Sequence, residues 1–107
     1  MLADTPKPPY YFVSFSSQLA DTEGDLYSQM GDRMVELAKN QKGFLGVEST
    51  RNEAGFGITI SYWKTKEDIK NWKLNAEHLV AQKLGKETFY RYYKTRVGLV
   101  ERDYGKY

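Results

Sequence analysis

Cysteine is absent from this 107-residue chain, and with it go disulfides, thiolate metal sites and a cysteine nucleophile. Proline is nearly as scarce. Its three copies, Pro6, Pro8 and Pro9, all precede the first apolar segment, so residues 1–9 read as an extended arm and 10–107 as one domain. His78 is the only histidine, and a lone imidazole cannot supply the three or four ligands of a protein-only zinc site. No apolar run approaches the ~20 residues that cross a bilayer. The N-terminus lacks a basic region followed by an apolar stretch, so no secretory signal is read and the cytoplasm is the default location. A net charge of +2 is too small to call for a polyanionic partner.

What is abundant is aromatic: 15% of the chain, with nine tyrosines and two tryptophans. Tyr10 to Leu19 is rich in β-favouring residues and reads as a first strand. Asp21 and Thr22 offer N-caps to a helix with Leu26, Met30, Met34 and Leu37 at helical spacing, and Gly43 is its expected stop. Phe44 to Thr50 and Phe56 to Trp63 are two strands joined by a turn over 51–55. Thr65, with Asp68 three residues on, caps a second helix expected to reach about Gly85 with a break near Asn75. Phe89 to Val100 is the last strand. The order β-α-β-β-α-β is the ferredoxin-like α+β arrangement. Its antiparallel sheet carries helices on one face only, so the other face needs a cover.

Chemistry is sought first on the second helix. Ile69, Trp72, Ala76, Leu79, Val80 and Lys83 fall on one side of a helical wheel, an ordinary core face. His78, Ala81, Gln82 and Gly85 form a second stripe, small and uncharged where a solvated face would carry lysine and glutamate. That stripe is read as a ligand pocket or a subunit contact, with His78 as candidate base. Serines 14, 16 and 17 could complete a triad with His78 only in a formal sense, since no nucleophile elbow is present. The last strand mixes tyrosines with Arg91, Lys94 and Arg96, a pattern that can bind single-stranded nucleic acid. Lys42-Gly43-Phe44 opens like an RNA-recognition signature, but Leu45, Gly46 and Ser49 break it, and nucleic acid is not expected as a partner.

The stretch from Tyr62-Trp63 through Thr65-Lys-Glu-Asp68 to Trp72, with Glu77-His78 and Val97-Gly-Leu-Val-Glu101-Arg102-Asp-Tyr104, resembles the antibiotic biosynthesis monooxygenase (ABM) domain family. The resemblance covers roughly residues 10–104 and implies a dimeric α+β barrel, a homodimer formed sheet to sheet. Haem-degrading members carry an asparagine on the first strand, a tryptophan on the second helix and a haem-ligating histidine ten residues later. Here Trp72 matches, but Ser17 and Gln82 occupy the other two positions, so haem is disfavoured and no cofactor is expected. Cofactor-free members oxidise aromatic or polyphenolic substrates whose deprotonated form itself reduces O2. That chemistry asks for a dry pocket, a base and hydrogen-bond donors. The resemblance implies aromatic walls from Trp63, Trp72 and Tyr62, a base at His78, and donors from Gln82 and Arg96. A noncatalytic small-ligand-binding domain fits the same residues, and no membrane partner is expected.

Overall fold

The computed structural model describes residues 2–20, 24–83 and 90–107; within the helices, side chains are described at 32–39 and 66–77. The chain folds as β1 (Tyr10–Leu19), α1 (Gly24–Lys39), β2 (Phe44–Arg51), β3 (Phe56–Trp63), α2 (Lys66–Lys83) and β4 (Tyr90–Val100). All four strands pair antiparallel in the order β2-β3-β1-β4, which leaves β2 and β4 as edges. The expected ferredoxin-like α+β fold is the observed one. The caps proposed at Asp21 and Thr22, the strand start at Phe89 and the helix end at Gly85 lie outside the described residues.

Local chemistry explains the boundaries. Asn52 and Gly55 close the β2–β3 hairpin: Asn52 Oδ1 accepts from the Phe56 amide at 3.0 Å, and Gly55 takes a φ of +91°. The Asp68 amide donates to Thr65 Oγ1 at 3.1 Å, so Thr65 caps α2 as its sequence position suggests. Gly43 lies four residues beyond the end of α1, and its φ of +82° turns the chain into β2. A Cβ there would meet Asp68 Oδ2 at 1.9 Å, so both backbone and space demand glycine. The break expected near Asn75 does not occur. α2 is continuous, and Asn75 Nδ2 reaches outward to donate to Gln41 Oε1 at 2.9 Å.

Pairing register assigns every strand residue to a face. Tyr11, Val13, Phe15 and Ser17 of β1 lie beside Trp63, Ser61, Thr59 and Gly57 of β3 and beside Leu99, Val97, Thr95 and Tyr93 of β4. That is the helix-facing side. Its core is Val13, Trp63 and Ile69, with Tyr11, Phe44 and Trp72 packed around it. α1 lies against β2 and α2 against β3. No described helix is long and apolar enough to cross a membrane.

The opposite side is helix-free. Ala3 of the arm packs onto Gly46, and its amide donates to Glu48 Oε2 at 2.9 Å. Thr5 Oγ1 is hydrogen-bonded to the Tyr10 hydroxyl, which also donates to Asp103 of the tail. Both chain ends are therefore fastened to one end of this face.

Candidate functional site

The aromatic residues expected to wall one pocket are divided by the sheet. Trp63 and Tyr62 are consecutive on β3, and consecutive strand residues point to opposite faces. Trp63 is 0% exposed: its indole nitrogen donates to Ser61 Oγ at 2.9 Å, and its ring stacks on Trp72 at 5.8 Å between centroids. The stacked pair packs α2 against the sheet at this end. Trp63 is thus core rather than a pocket wall, while Trp72, half-buried, keeps one side toward solvent.

Tyr62 points to the helix-free face and donates to Glu48 Oε1 at 2.8 Å. Desolvation, with help from that hydrogen bond and the Glu48 charge, pushes its pKa up to about 12. Tyr10, stacked edge-on against it at 5.8 Å, is raised by burial and by Asp103. Neither can act as a base near neutrality. Arg96 pairs opposite Ser14 and so also belongs to the helix-free face. Tyr62 and Arg96 therefore cannot join Trp72 in a single site within one chain. The side chains of His78 and Gln82 lie outside the described residues.

What the helix-facing side does present is an exposed strip along β4. Tyr93, Val97 and Leu99 of β4 are 50%, 55% and 45% exposed, although Val13, across from Val97 on the same face, is 9% exposed. Among the described residues α2 contacts β3, while these β4 side chains stay exposed. Together they form the strip. At its apolar end stand Leu99 and Tyr11, with Lys66 Nζ 5.8 Å from the Tyr11 ring centre. At the other end Phe15 meets Tyr90 at 5.2 Å and Tyr93 at 5.5 Å, and Tyr90 meets Tyr93 at 6.0 Å. Such tilted and edge-on packing suits a planar aromatic guest as well as a protein ring.

Beneath that aromatic cluster lies a polar anchor that the residue pattern did not single out. Arg51 Nη1 donates to the carbonyls of Ser17 at 3.1 Å and Gly55 at 2.6 Å, and Nη2 donates to Ser17 Oγ at 2.8 Å. Ser17 is 0% exposed. The pairing Arg51–Gly57–Ser17 across three strands creates this contact. Gly57 is the enabling residue, because a Cβ there would lie 2.8 Å from the Arg51 guanidinium carbon. Only the sheet register could have revealed it. A depression of about 780 Å³ lies at the exit of β4, beside Leu99, Arg102 and Tyr104.

A family profile described as "Antibiotic biosynthesis monooxygenase" matches residues 13–84, most of the chain. The chain belongs to the ABM family. Protein YqjZ of Bacillus subtilis (strain 168), itself uncharacterized, is 45% identical over 102 residues, spanning 95% of this chain and 89% of YqjZ. Among solved structures, Rv0793 from Mycobacterium tuberculosis superposes with a TM-score of 0.70 at 11% identity, covering 91% of this chain and 99% of its own. SO0527 from Shewanella oneidensis gives 0.73 at 5% identity, with 89% and 94% covered. These two share the ABM fold with the chain, and at such identity they speak to the fold alone.

Proposed function

We propose that this ABM protein is a cofactor-independent monooxygenase for an aromatic or polyphenolic small molecule, acting as a homodimer in the cytoplasm. The observation that carries the reading is the exposed apolar and aromatic strip along β4, formed by Val97, Leu99 and the Phe15–Tyr90–Tyr93 cluster. A flat phenol buried there would lie on aromatic and aliphatic surface. His78 would take the phenolic proton, and the resulting anion would reduce O2. The substrate supplies both electrons: one oxygen atom becomes its new carbonyl and the other leaves as water. Gln82 would donate a hydrogen bond to the developing oxyanion.

The reading is cofactor-free because the residues do not fit a haem. Gln82 stands where haem-degrading members place their iron ligand. Ser17, at their asparagine position, is buried, and its hydroxyl accepts from Arg51 instead of facing a ligand.

Oxygen consumption against a panel of hydroquinones and anthrones tests the reading. Turnover is expected for at least one, and His78→Ala should lower the rate about 100-fold or more, while Lys70→Ala should leave it near wild type. Haem titration should give no stoichiometric complex with a sharp Soret band. A noncatalytic ligand-binding role draws on the same exposed β4 strip, with the phenol bound but not deprotonated. Quenching of Trp72 fluorescence by phenols that are never oxidised would select that role.

A further inference from the structure

After Val100 the chain leaves the sheet, yet it is held close to it. Val100 is the last paired residue of β4 and lies opposite Tyr10. Asp103 then accepts from the hydroxyl of that same Tyr10, which Thr5 of the arm also engages. The tail is thus tied to the residue at which β4 ends its pairing. The depression of about 780 Å³ lies here, lined by Leu99, Val100, Glu101, Arg102 and Tyr104. Its volume falls within the range of small-molecule sites, about 300–1,000 Å³.

The lining pairs opposite charges beside apolar and aromatic surface. Glu101 and Arg102 are consecutive, and strand alternation would send them to opposite faces. Both line the depression because the strand has ended at Val100. Consecutive Cα atoms stand about 3.8 Å apart, so an acid and a base are set side by side. Neither is spent on the other or on a further charge: among the described residues the ion pair is Lys73–Glu77. Asp103, the remaining acidic side chain of the segment, is engaged by Tyr10. The Arg102 guanidinium stands 5.8 Å from the ring centre of Tyr104, which is 83% exposed, and Leu99 adds an exposed aliphatic surface.

We infer that this depression binds a free aromatic α-amino acid and that the Tyr10–Asp103 bond gives it its shape. The ligand carboxylate takes the guanidinium of Arg102. The ligand ammonium, on the neighbouring carbon, takes the carboxylate of Glu101, and the ring lies against Leu99 and Tyr104. A plain aromatic acid would set its anion beside Glu101, and an aromatic amine would set its cation beside Arg102. Like charges brought together select against both. The inference does not depend on the monooxygenase reading. It uses neither His78 nor Gln82, and it shares Leu99 alone with the β4 strip.

Calorimetric titration of the full chain with L-phenylalanine tests it. Hydrocinnamate, phenethylamine and L-alanine, which lack the ammonium, the carboxylate and the ring in turn, serve as comparison ligands. L-Phenylalanine should saturate one site per chain, and each comparison ligand should bind about tenfold more weakly or worse. Arg102→Ala and Tyr104→Ala, at exposed positions, should each weaken L-phenylalanine binding about tenfold or more. Glu101→Gln should do the same while leaving hydrocinnamate no weaker than before. Tyr10→Phe, which releases Asp103 without altering a lining side chain, should weaken binding as well; full affinity there would overturn the shaping role of that bond. No saturable binding at millimolar concentration, or hydrocinnamate bound as tightly as L-phenylalanine, would overturn the ligand class. Undiminished binding in both Arg102→Ala and Tyr104→Ala would overturn the site.

Discussion

The two faces of the sheet hold themselves together by different means. The helix-facing side is closed by ring packing: Trp63, fully buried, lies between Trp72 at 5.8 Å and Phe44 at 5.6 Å. The helix-free side is closed at one end only, by hydrogen bonds that run from the arm through Glu48 and Tyr62 and from the tail to Tyr10. Dispersion and apolar burial scale with contact area and survive changes of pH. Phenol–carboxylate bonds depend on protonation and contribute about 1 kcal/mol each. The first face should therefore dominate stability, and the second should set how stability responds to pH.

The sharpest way to break this comparison is to hollow out the ring packing. Trp63→Ala removes the largest fully buried side chain and should cost about 3–5 kcal/mol in urea unfolding. Trp72→Ala, taken from a half-buried site, should cost less. A smaller loss at Trp63 than at Trp72 would mean that the cluster is centred on the helix and not on the strand.

Gly43→Ala comes next. It must hold a φ of +82° and meet Asp68 Oδ2, for an expected cost of about 1–3 kcal/mol. Asp68→Gly should relieve the steric part, so the two substitutions together should fall short of additivity. Additive losses would show that backbone strain alone accounts for the effect. Ser17→Ala should cost about 1–2 kcal/mol, because Arg51 Nη2 loses an acceptor in a fully buried place. A neutral result would show that the guanidinium readily finds another.

Element order and most boundaries were legible because local signals agree with one another. Thr65 caps, Gly43 and Gly55 turn, and alternation with aromatic content marks the strands. The face of each residue was half legible. Alternation alone says that Tyr62 and Trp63 diverge, but only pairing with β1 and contact with α2 say which of them meets the helices. The Ser17–Arg51 anchor was illegible, since it joins residues 34 apart through three-strand register. Asn75 misled for a related reason. Its low helix propensity suggested a break, yet its amide bonds to Gln41 across the α1–β2 turn, and tertiary contact outweighs local preference. The exposed strip on β4 was equally hidden, since the exposure of Val97 and Leu99 depends on how the chain packs and not on any spacing in it.

The smallest expected effect is also the one that separates the two faces most cleanly. The Tyr62 phenol, which ordinarily titrates near 10.0, is pushed up to about 12 in the fold, chiefly through desolvation and then through Glu48. A tyrosine whose folded pKa is raised gives its full stabilisation below about pH 10, where it is protonated in both states. Between 10 and about 12 the unfolded chain has lost the proton that the folded chain keeps, so stability falls as pH rises. Tyr10, raised in the same direction, adds to the slope. Tyr62→Phe should cost about 0.5–1.5 kcal/mol at neutral pH, for the lost bond to Glu48. It should also flatten the decline above pH 10. Thr59→Val on the helix-facing side, which removes the 2.8 Å hydroxyl contact with Ser49, alters no titrating group and should leave the pH profile parallel to wild type. If Tyr62→Phe keeps the full alkaline slope, the chain ends and not the Tyr62–Glu48 pair carry it, and Tyr10→Phe, which breaks the bonds to Thr5 and Asp103, becomes the variant that should flatten it.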